Sequence, residues 1–251
     1  MDAVLATVLQ NQEVKPGFFQ MECLAPEISK ECKPGQFLMI KPNQLNSPLL
    51  GRPMGIFDWD VEKGTIQILY EVKGPHTGTE LLSLVKPGEV LPVVAPLGNG
   101  YWFREEDKKV LVVAGGIGIA PLFPVVKALK ARNIQVTVLL GAPKAERLLA
   151  MQKLAALEQE IMVFTDDGSV GEMGYPTDRL PQLLRENAYD CVYCCGSMAM
   201  MQRVAEICEA ANVPCQVSLE KRMGCGFGVC MGCVCQQKQA DGSKELVRIC
   251  Y

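Results

Sequence analysis

Near its C-terminus the chain runs Cys225-Gly-Phe-Gly-Val-Cys230-Met-Gly-Cys233, with Cys250 well downstream. This C-x4-C-x2-C spacing with a distant fourth cysteine is the plant-type arrangement for a [2Fe–2S] cluster. The constraint is geometric: a short loop must bend so that several thiolates converge on two irons. Gly224, Gly226, Gly228 and Gly232 permit that bend and let backbone N–H groups approach the sulfurs. Four cysteines also hold structural zinc, which commonly uses paired C-x2-C knuckles. Only one such pair is regular here, and the x4 spacing fits iron–sulfur better. Cys235 alternates away from Cys233 if that stretch is extended, so it is not taken as a ligand. A cluster of this kind does one-electron chemistry, so the rest of the chain is expected to contain redox partners.

The 251 residues are enough for two domains or one large one. A net charge of −3 gives no footing for nucleic acid or a membrane surface. No apolar run approaches the roughly 20 residues that span a bilayer. The N-terminus, Met1-Asp2-Ala3-Val4, lacks the basic and apolar regions of a signal peptide. Twelve cysteines are many, yet Cys23, Cys191, Cys194, Cys195, Cys208 and Cys215 sit in apolar segments. There reduced cysteine acts as a small hydrophobe. A reducing cytoplasm without disulfides is therefore expected.

Residues 1–100 read as all-β. Runs from Val4 to Val8, Phe18 to Cys23, Phe37 to Lys41, Thr65 to Glu71 and Val90 to Val94 alternate with Lys-Pro-Gly turns at 15–17, 33–35 and 86–88. Such short, regularly spaced strands suggest a small antiparallel barrel, with one short helix at Thr79 to Val85. From Tyr101 the pattern changes to strand–helix alternation. Strands are expected at Lys109 to Ala114, Val136 to Leu140, Ile161 to Thr165 and Cys191 to Cys194. Helices are expected to about Ala131, at Ala145 to Leu157, at Asp178 to Glu186 and at Met198 to Ala211. Alternation of this kind means a parallel α/β sheet over 101–214. Residues 215–251 form the cysteine-rich segment, with a hairpin expected around Asp241-Gly242.

Several motifs carry chemistry. The loop Gly115-Gly116-Ile117-Gly118 leaves a buried strand and opens a helix, where glycine lets backbone approach a pyrophosphate. It equally reads as a tight turn, since Pro121 departs from the full G-x-G-x-x-G fingerprint. Gly196 ends a second strand; if both strands share one sheet, their carboxyl ends face one crevice. Arg52-Pro53-Met54-Gly55 can hold a diphosphate bidentately, or can be an ordinary strand start. Gly78 and Thr79 close a glycine-rich turn before a helix and can bind phosphate. His76 is the only histidine, and in this loop it is read as a polar contact without a catalytic role. Asp166-Asp167-Gly168-Ser169 is read as a solvated turn rather than an acid–base pair.

Arg52-Pro53-Met54-Gly55-Ile56, Pro96-Leu97-Gly98-Asn99-Gly100, the run from Gly115 to Leu122 and Cys195-Gly196 follow one another as in the ferredoxin–NADP reductase superfamily. The segment from Ser218 to Cys233 narrows the resemblance to the electron-transfer subunits of class 1B dihydroorotate dehydrogenases. That resemblance covers nearly the whole chain. It implies an FAD-binding β-barrel (1–100), an NAD-binding α/β domain (101–214) and a C-terminal [2Fe–2S] segment (215–251). It also implies that Arg52, Pro53, Met54 and Gly55, with Leu69, Tyr70 and Glu71, cradle FAD, and that Gly78 and Thr79 meet its phosphates. Gly115, Gly116, Gly118 and Gly196 would receive NAD. Cys225, Cys230, Cys233 and Cys250 would bind the cluster. The turn Gly74 to Thr79 is longer than the usual G-x-G-T.

The implied activity is that of an NAD-linked oxidoreductase subunit in pyrimidine biosynthesis. An FMN-containing catalytic partner would oxidise dihydroorotate, with two copies of each chain in the assembly. No side chain is assigned to acid–base catalysis. Related subunits serve sulfhydrogenases and NADH-dependent ferredoxin:NADP oxidoreductases. NAD is favoured over NADP because Gly141 to Glu146 lacks an arginine cluster. A zinc-stabilised nucleotide-binding module is the reading from another class.

Overall fold

The computed structural model describes residues 2–44, 48–239 and 241–251. They group into two compact units. The first contains the N-terminal barrel and Leu219–Tyr251; the second is essentially Tyr101–Ser218.

The barrel is built from β1 (Asp2–Lys15), β2 (Phe18–Leu24), α1 (Pro26–Ser29), β3 (Phe37–Ile40), β4 (Arg52–Asp60), β5 (Thr65–Glu71), α2 (Gly78–Ser83) and β6 (Val90–Leu97). The six strands close in the order β1-β2-β5-β4-β3-β6, and every pair that closes it is antiparallel where the register is given. Closure leaves no edge strand to template aggregation. Alternation fills it. On β6, Leu91, Val93 and Ala95 turn inward, and on β5 Ile66, Ile68 and Tyr70 do the same. Ile28 of α1 and Leu82 of α2 join that core. The Tyr70 hydroxyl donates to Asn11 Oδ1 at 2.9 Å, and Asn11 donates to the Leu82 and Val85 carbonyls. One polar link thus ties β1, β5 and α2 together inside an apolar core.

The second unit carries β7 (Lys109–Gly115), α3 (Ile119–Ala131), β8 (Gln135–Ala142), α4 (Met151–Ala155), β9 (Glu160–Thr165), β10 (Glu172–Met173), α5 (Pro176–Glu186), β11 (Cys191–Cys195), α6 (Met198–Ala210) and β12 (Cys215–Val217). The strands are parallel, in the order β10-β9-β8-β7-β11-β12. A sheet covered on both faces needs apolar strands throughout, and Val110 to Ala114 and Cys191 to Cys195 are all buried. Leu111, Val113 and Leu139 pack against Leu180, Leu183, Val204 and Cys208 of α5 and α6. The chain winds outward from β7 to β10 and then returns to place β11 on the other side of β7. In sheets of this class that reversal opens a ligand crevice.

The last elements, β13 (Val234–Lys238) and β14 (Lys244–Arg248), form the antiparallel hairpin expected from Asp241-Gly242. Three features depart from the sequence reading. β4 is a nine-residue strand where only its first residues were considered. The helix expected over Ala145 to Leu157 is a 3₁₀ turn (Ala145–Arg147) followed by the short α4. Leu148 and Leu149 are both buried, and Ala150 adopts φ 59°, so the chain there satisfies the core and not a continuous helix. β12 is a short sixth strand of the parallel sheet. Among the described residues no helix is long and apolar enough to cross a membrane.

The joint between β7 and β11 depends on a carboxylate. Asp190 Oδ2 accepts the backbone N–H of Lys108 at 2.7 Å and of Lys109 at 2.8 Å. These donors, helped by the Arg104 charge, hold the Asp190 carboxyl below its usual range despite partial burial. A depressed folded pKa contributes stability above the unfolded value of about 3.9, and that contribution is lost as pH falls through the folded value. Asp190→Ala will therefore lower the urea midpoint at about pH 7, and the gap to the parent chain will narrow as pH falls below the unfolded carboxyl value of about 3.9. A gap that stays constant over that range would remove the carboxylate from this role.

Candidate functional site

The cysteine loop is shaped by what it must bring together. Cys225 N–H donates to Cys230 Sγ at 3.4 Å, and Cys230 N–H returns the contact to Cys225 Sγ at 3.4 Å. Gly232 N–H also reaches Cys230 Sγ, at 3.4 Å. On the other side, Cys233 Sγ lies 3.1 Å from Cys250 Sγ, and Gly228 N–H donates to Cys250 Sγ at 3.2 Å. The four sulfurs therefore fall into two pairs, 225/230 and 233/250. The donor set, its pairing and its N–H contacts fit the binuclear cluster.

Electrostatics agree at one end of the loop. Burial pushes the Cys225 thiol up, but N–H donors from Cys230, Phe227 and Val229 and the Cys230 side chain outweigh it and bring it to about 6. Burial, with Cys233 as neighbour, pushes Cys250 up to about 11. Gly226 sits at φ 83°, and a Cβ there would stand 2.5 Å from Met39 Cγ of β3. The cluster loop thus lies directly on the barrel. Arg248 Nη1 donates to the Gly228 carbonyl at 2.6 Å, and its guanidinium covers the Tyr251 ring at 5.0 Å, closing the loop from the C-terminal side.

On the same unit, Arg52 opens β4, opposite Ile40 of β3, followed by Pro53, Met54 and Gly55 opposite Met39, Leu38 and Phe37. A Cβ on Gly78 would lie 2.1 Å from Arg52 Nε. The guanidinium therefore rests against bare backbone at the first residue of α2. Thr77 caps that helix by accepting from Glu80 N–H, and the Thr79 hydroxyl accepts the Lys73 N–H at 3.0 Å. Arg52, Gly78 and Thr79, expected separately from sequence, are thus brought together. Leu69 and Glu71 lie on the face of β5 opposite to Tyr70. Because the Tyr70 side chain enters the barrel core, only its backbone is available to a ligand outside. His76, at φ 61°, stands in the turn, and its N–H donates to Glu80 Oε2.

In the second unit the carboxyl ends of β7 and β11 meet. A Cβ on Gly118 would stand 2.3 Å from the Cys195 carbonyl oxygen, and one on Gly196 would stand 3.2 Å from Gly115 Cα. Only glycine permits that approach. Gly116, at φ 54°, has open space at its Cβ position. Gly115, Gly116, Gly118 and Gly196 therefore converge on one crevice at the strand-order reversal, with the N-termini of α3 and α6 opening onto it. Two residues here were not singled out from sequence. The Tyr101 hydroxyl donates to the Cys194 carbonyl at 3.0 Å. Met200 packs against Gly115 and Gly196. Its position four residues after a strand-ending glycine was the available signal. Asp166 to Ser169 form a turn, with Ser169 N–H donating to Asp167 Oδ1 at 3.0 Å.

Comparison with known proteins follows the same division. A family profile described as the oxidoreductase NAD-binding domain matches residues 112–206. Another, described as the iron–sulfur cluster binding domain of dihydroorotate dehydrogenase B, matches residues 220–251. The dihydroorotate dehydrogenase B (NAD(+)) electron transfer subunit of Desulforamulus reducens is 39% identical over 228 residues, 91% of this chain and 86% of the relative. Its counterpart from Clostridium acetobutylicum is 37% identical over 231 residues, 92% of this chain and 87% of the relative. The solved structure of an NADH-dependent reduced ferredoxin-NADP oxidoreductase, studied for flavin-based electron bifurcation, aligns with a TM-score of 0.82 at 32% identity, over 92% of this chain and 82% of that one. With such identity along nine-tenths of its length, and with the family's iron–sulfur cluster binding domain matched over residues 220–251, this chain belongs to the family of dihydroorotate dehydrogenase B electron transfer subunits.

Proposed function

We propose that this chain carries FAD on its barrel and a [2Fe–2S] cluster on Cys225, Cys230, Cys233 and Cys250, receives electrons from an FMN-containing dihydroorotate dehydrogenase catalytic subunit, and delivers them to NAD+ in pyrimidine biosynthesis. Two copies of each subunit make up the assembly, in the cytoplasm. The observation that carries the reading is the pairing of the four sulfurs on the same compact unit as Arg52 and Gly78. FAD, when bound, supplies the exchange between one-electron chemistry with iron and two-electron hydride chemistry with nicotinamide.

The residues themselves bind and orient. Arg52 offers a planar fork of donors to a diphosphate, and bare backbone at Gly78 allows the phosphate oxygens to come close. Pro53 stiffens the entry of β4, which keeps the arginine in place. The loop N–H groups of Cys225, Gly228, Cys230 and Gly232 stabilise charge on the sulfurs. Gly116 and the N-terminus of α3 offer backbone donors to the dinucleotide diphosphate. In the loop after β8, Lys144 Nζ is engaged by Glu146 at 2.7 Å, which supports NAD over NADP.

The partner face is the surface around Cys230, itself exposed. Val229 is 74% exposed, Met231 52% and Tyr251 72%. Apolar groups gathered around a redox centre suit a protein partner rather than open solvent. The related ferredoxin-NADP oxidoreductase keeps a second partner class in view, but the match over residues 220–251 favours the dihydroorotate-oxidising one.

Two measurements test this. Arg52→Ala will weaken FAD binding about 10- to 100-fold, the loss of a charged hydrogen-bonded pair, read by recovery of free-flavin fluorescence. FAD retained at the parent affinity would move the cofactor elsewhere. Purified chain with FAD and cluster will reduce an artificial acceptor from NADH, and will support dihydroorotate oxidation only with the catalytic subunit added. Cys230→Ser will keep NADH-to-acceptor activity but lose the iron–sulfur EPR signal and the coupling to the partner. Dihydroorotate turnover by the chain alone, or an unchanged EPR signal in Cys230→Ser, would defeat the assignment.

A further inference from the structure

Helix α6 ends in a tight reversal that returns the chain onto its own last turn. The Asn212 N–H donates to the Glu209 carbonyl at 3.1 Å and the Val213 N–H to the Cys208 carbonyl at 3.0 Å, with Asn212 at φ 54°. This paired bonding around a left-handed residue is a Schellman stop, which fixes the turn. Pro214 follows, and its carbonyl accepts the Val192 N–H at 2.9 Å, docking the chain on β11. Cys215 then opens β12 opposite Val192. Val192 belongs to the core that also contains Cys208, and Cys215 packs against that core. The two thiols therefore meet: the Cys215 side chain is hydrogen-bonded to that of Cys208. Cys208 is fully buried and Cys215 half-buried. Neighbouring thiols are placed differently. Cys194 lies two residues along β11 from Val192, opposite Val217. Cys191 Sγ accepts from Gln216 Nε2 at 3.8 Å on the other face of the sheet.

We propose that Cys208 and Cys215 form a reversible thiol–disulfide site, oxidised by a low-molecular-weight disulfide, that staples α6 to the edge strand of its sheet. Cys215 is the entry thiol, because it alone of the two reaches solvent. Its sulfur loses a proton and attacks one sulfur of the small disulfide. The S–S bond breaks, the departing half takes up a proton and leaves as a thiol, and a mixed disulfide remains on Cys215. Cys208 Sγ, already in contact, then loses its proton, attacks Cys215 Sγ and expels the second small thiol. Two protein thiols and one small disulfide thus become one protein disulfide and two small thiols. The hydrogen bond to Cys208, and then burial, hold the Cys215 thiol up, so the first step is slow near neutral pH. The pair rests as a dithiol while reductant is plentiful and closes only under a sustained oxidising shift, the behaviour of redox-sensing disulfides in a reducing compartment. The strand it fastens holds other chain in place. Gln216 bonds both the N–H and the carbonyl of Trp102, at 3.1 and 2.9 Å, and the Ser218 N–H donates to the Cys194 carbonyl at 3.0 Å. β12 is the outermost strand beside β11, paired on one side only, so the staple acts on an element that the sheet holds weakly.

The test is thiol mapping on the FAD- and cluster-loaded chain, incubated anaerobically with oxidised glutathione and quenched by alkylation. Peptide mass spectrometry will find Cys208 and Cys215 joined to each other, while Cys23, Cys191 and Cys194 stay reduced. Dithiothreitol will restore both thiols. Hydrogen exchange at the Val192 and Ser218 amides will slow roughly tenfold in the oxidised chain, because the crosslink restricts opening of the edge strand. Cys208→Ala will trap the glutathione adduct on Cys215. Cys215→Ala will leave Cys208 unmodified, and this change at a half-buried position serves if the buried substitution prevents folding. A glutathione adduct that persists on Cys215 of the parent chain, a bond from Cys215 to any other cysteine, or two thiols that stay free overturns the proposal. Exchange at Val192 and Ser218 that is unchanged by the crosslink overturns the stapling of the edge strand.

Discussion

Four thiolates gathered on one cluster, as proposed for Cys225, Cys230, Cys233 and Cys250, repel. At an effective dielectric of about 20, two unit charges 4 Å apart already cost about 4 kcal/mol. The C-terminal segment is organised around that problem. Its N–H groups are turned onto sulfur at Cys225, Cys230 and Cys250. Its hairpin solves the matching problem of reach. Cys233 and Cys250 are seventeen residues apart in sequence, yet the pairing of Val234 with Arg248 makes them neighbours. A one-residue slip between β13 and β14 would turn one of the two thiols to the opposite face. The register of a small exposed hairpin thus governs whether the site exists.

The same economy of close approach recurs in the second unit. Bringing the ends of β7 and β11 together leaves no room for side chains at Gly115, Gly118 or Gly196. Their backbone entropy is lost on folding, roughly 0.5–1 kcal/mol more per glycine than for alanine. The apolar sheet, buried from Val110 to Ala114 and across Cys191 to Cys195, offsets that loss. The crevice is consequently closely packed at its floor and open at Gly116.

Much of this was legible in sequence, for identifiable reasons. β5 and α3 fall where alternation and the glycine loop placed them, at Thr65–Glu71 and up to Ala131. The spacing of Cys225, Cys230 and Cys233 is a property of chain geometry, and the cluster-binding domain it implies matches residues 220–251. What failed depends on tertiary context. β4 was hidden because proline and glycine near its start depress strand propensity. There the barrel imposes pairing with β3 regardless. The helix expected beyond Ala145 gave way at Ala150, whose φ of 59° is left-handed and cannot continue a right-handed helix. Tyr70 sits within the expected flavin stretch, but alternation with Ile66 and Ile68 sends its ring inward. Met200 could not be placed from sequence, because a methionine at the start of a helix reads as ordinary packing until the neighbouring strand end is known.

The distribution of ionisable groups completes the argument about what kind of protein this is. Burial pushes the thiols of Cys23 and Cys32 up to about 12, with adjacent glutamates adding to the effect. It raises Cys191 and Cys194 as well. These cysteines are neutral core residues, inert near neutral pH. Burial likewise raises Tyr101 and Tyr193, whose hydroxyls serve as donors to backbone carbonyls. A protein that passes electrons needs bound cofactors at fixed places. The sites proposed for them offer backbone N–H groups, an arginine, glycines and four sulfurs, while the thiols of Cys23, Cys32, Cys191 and Cys194 serve packing.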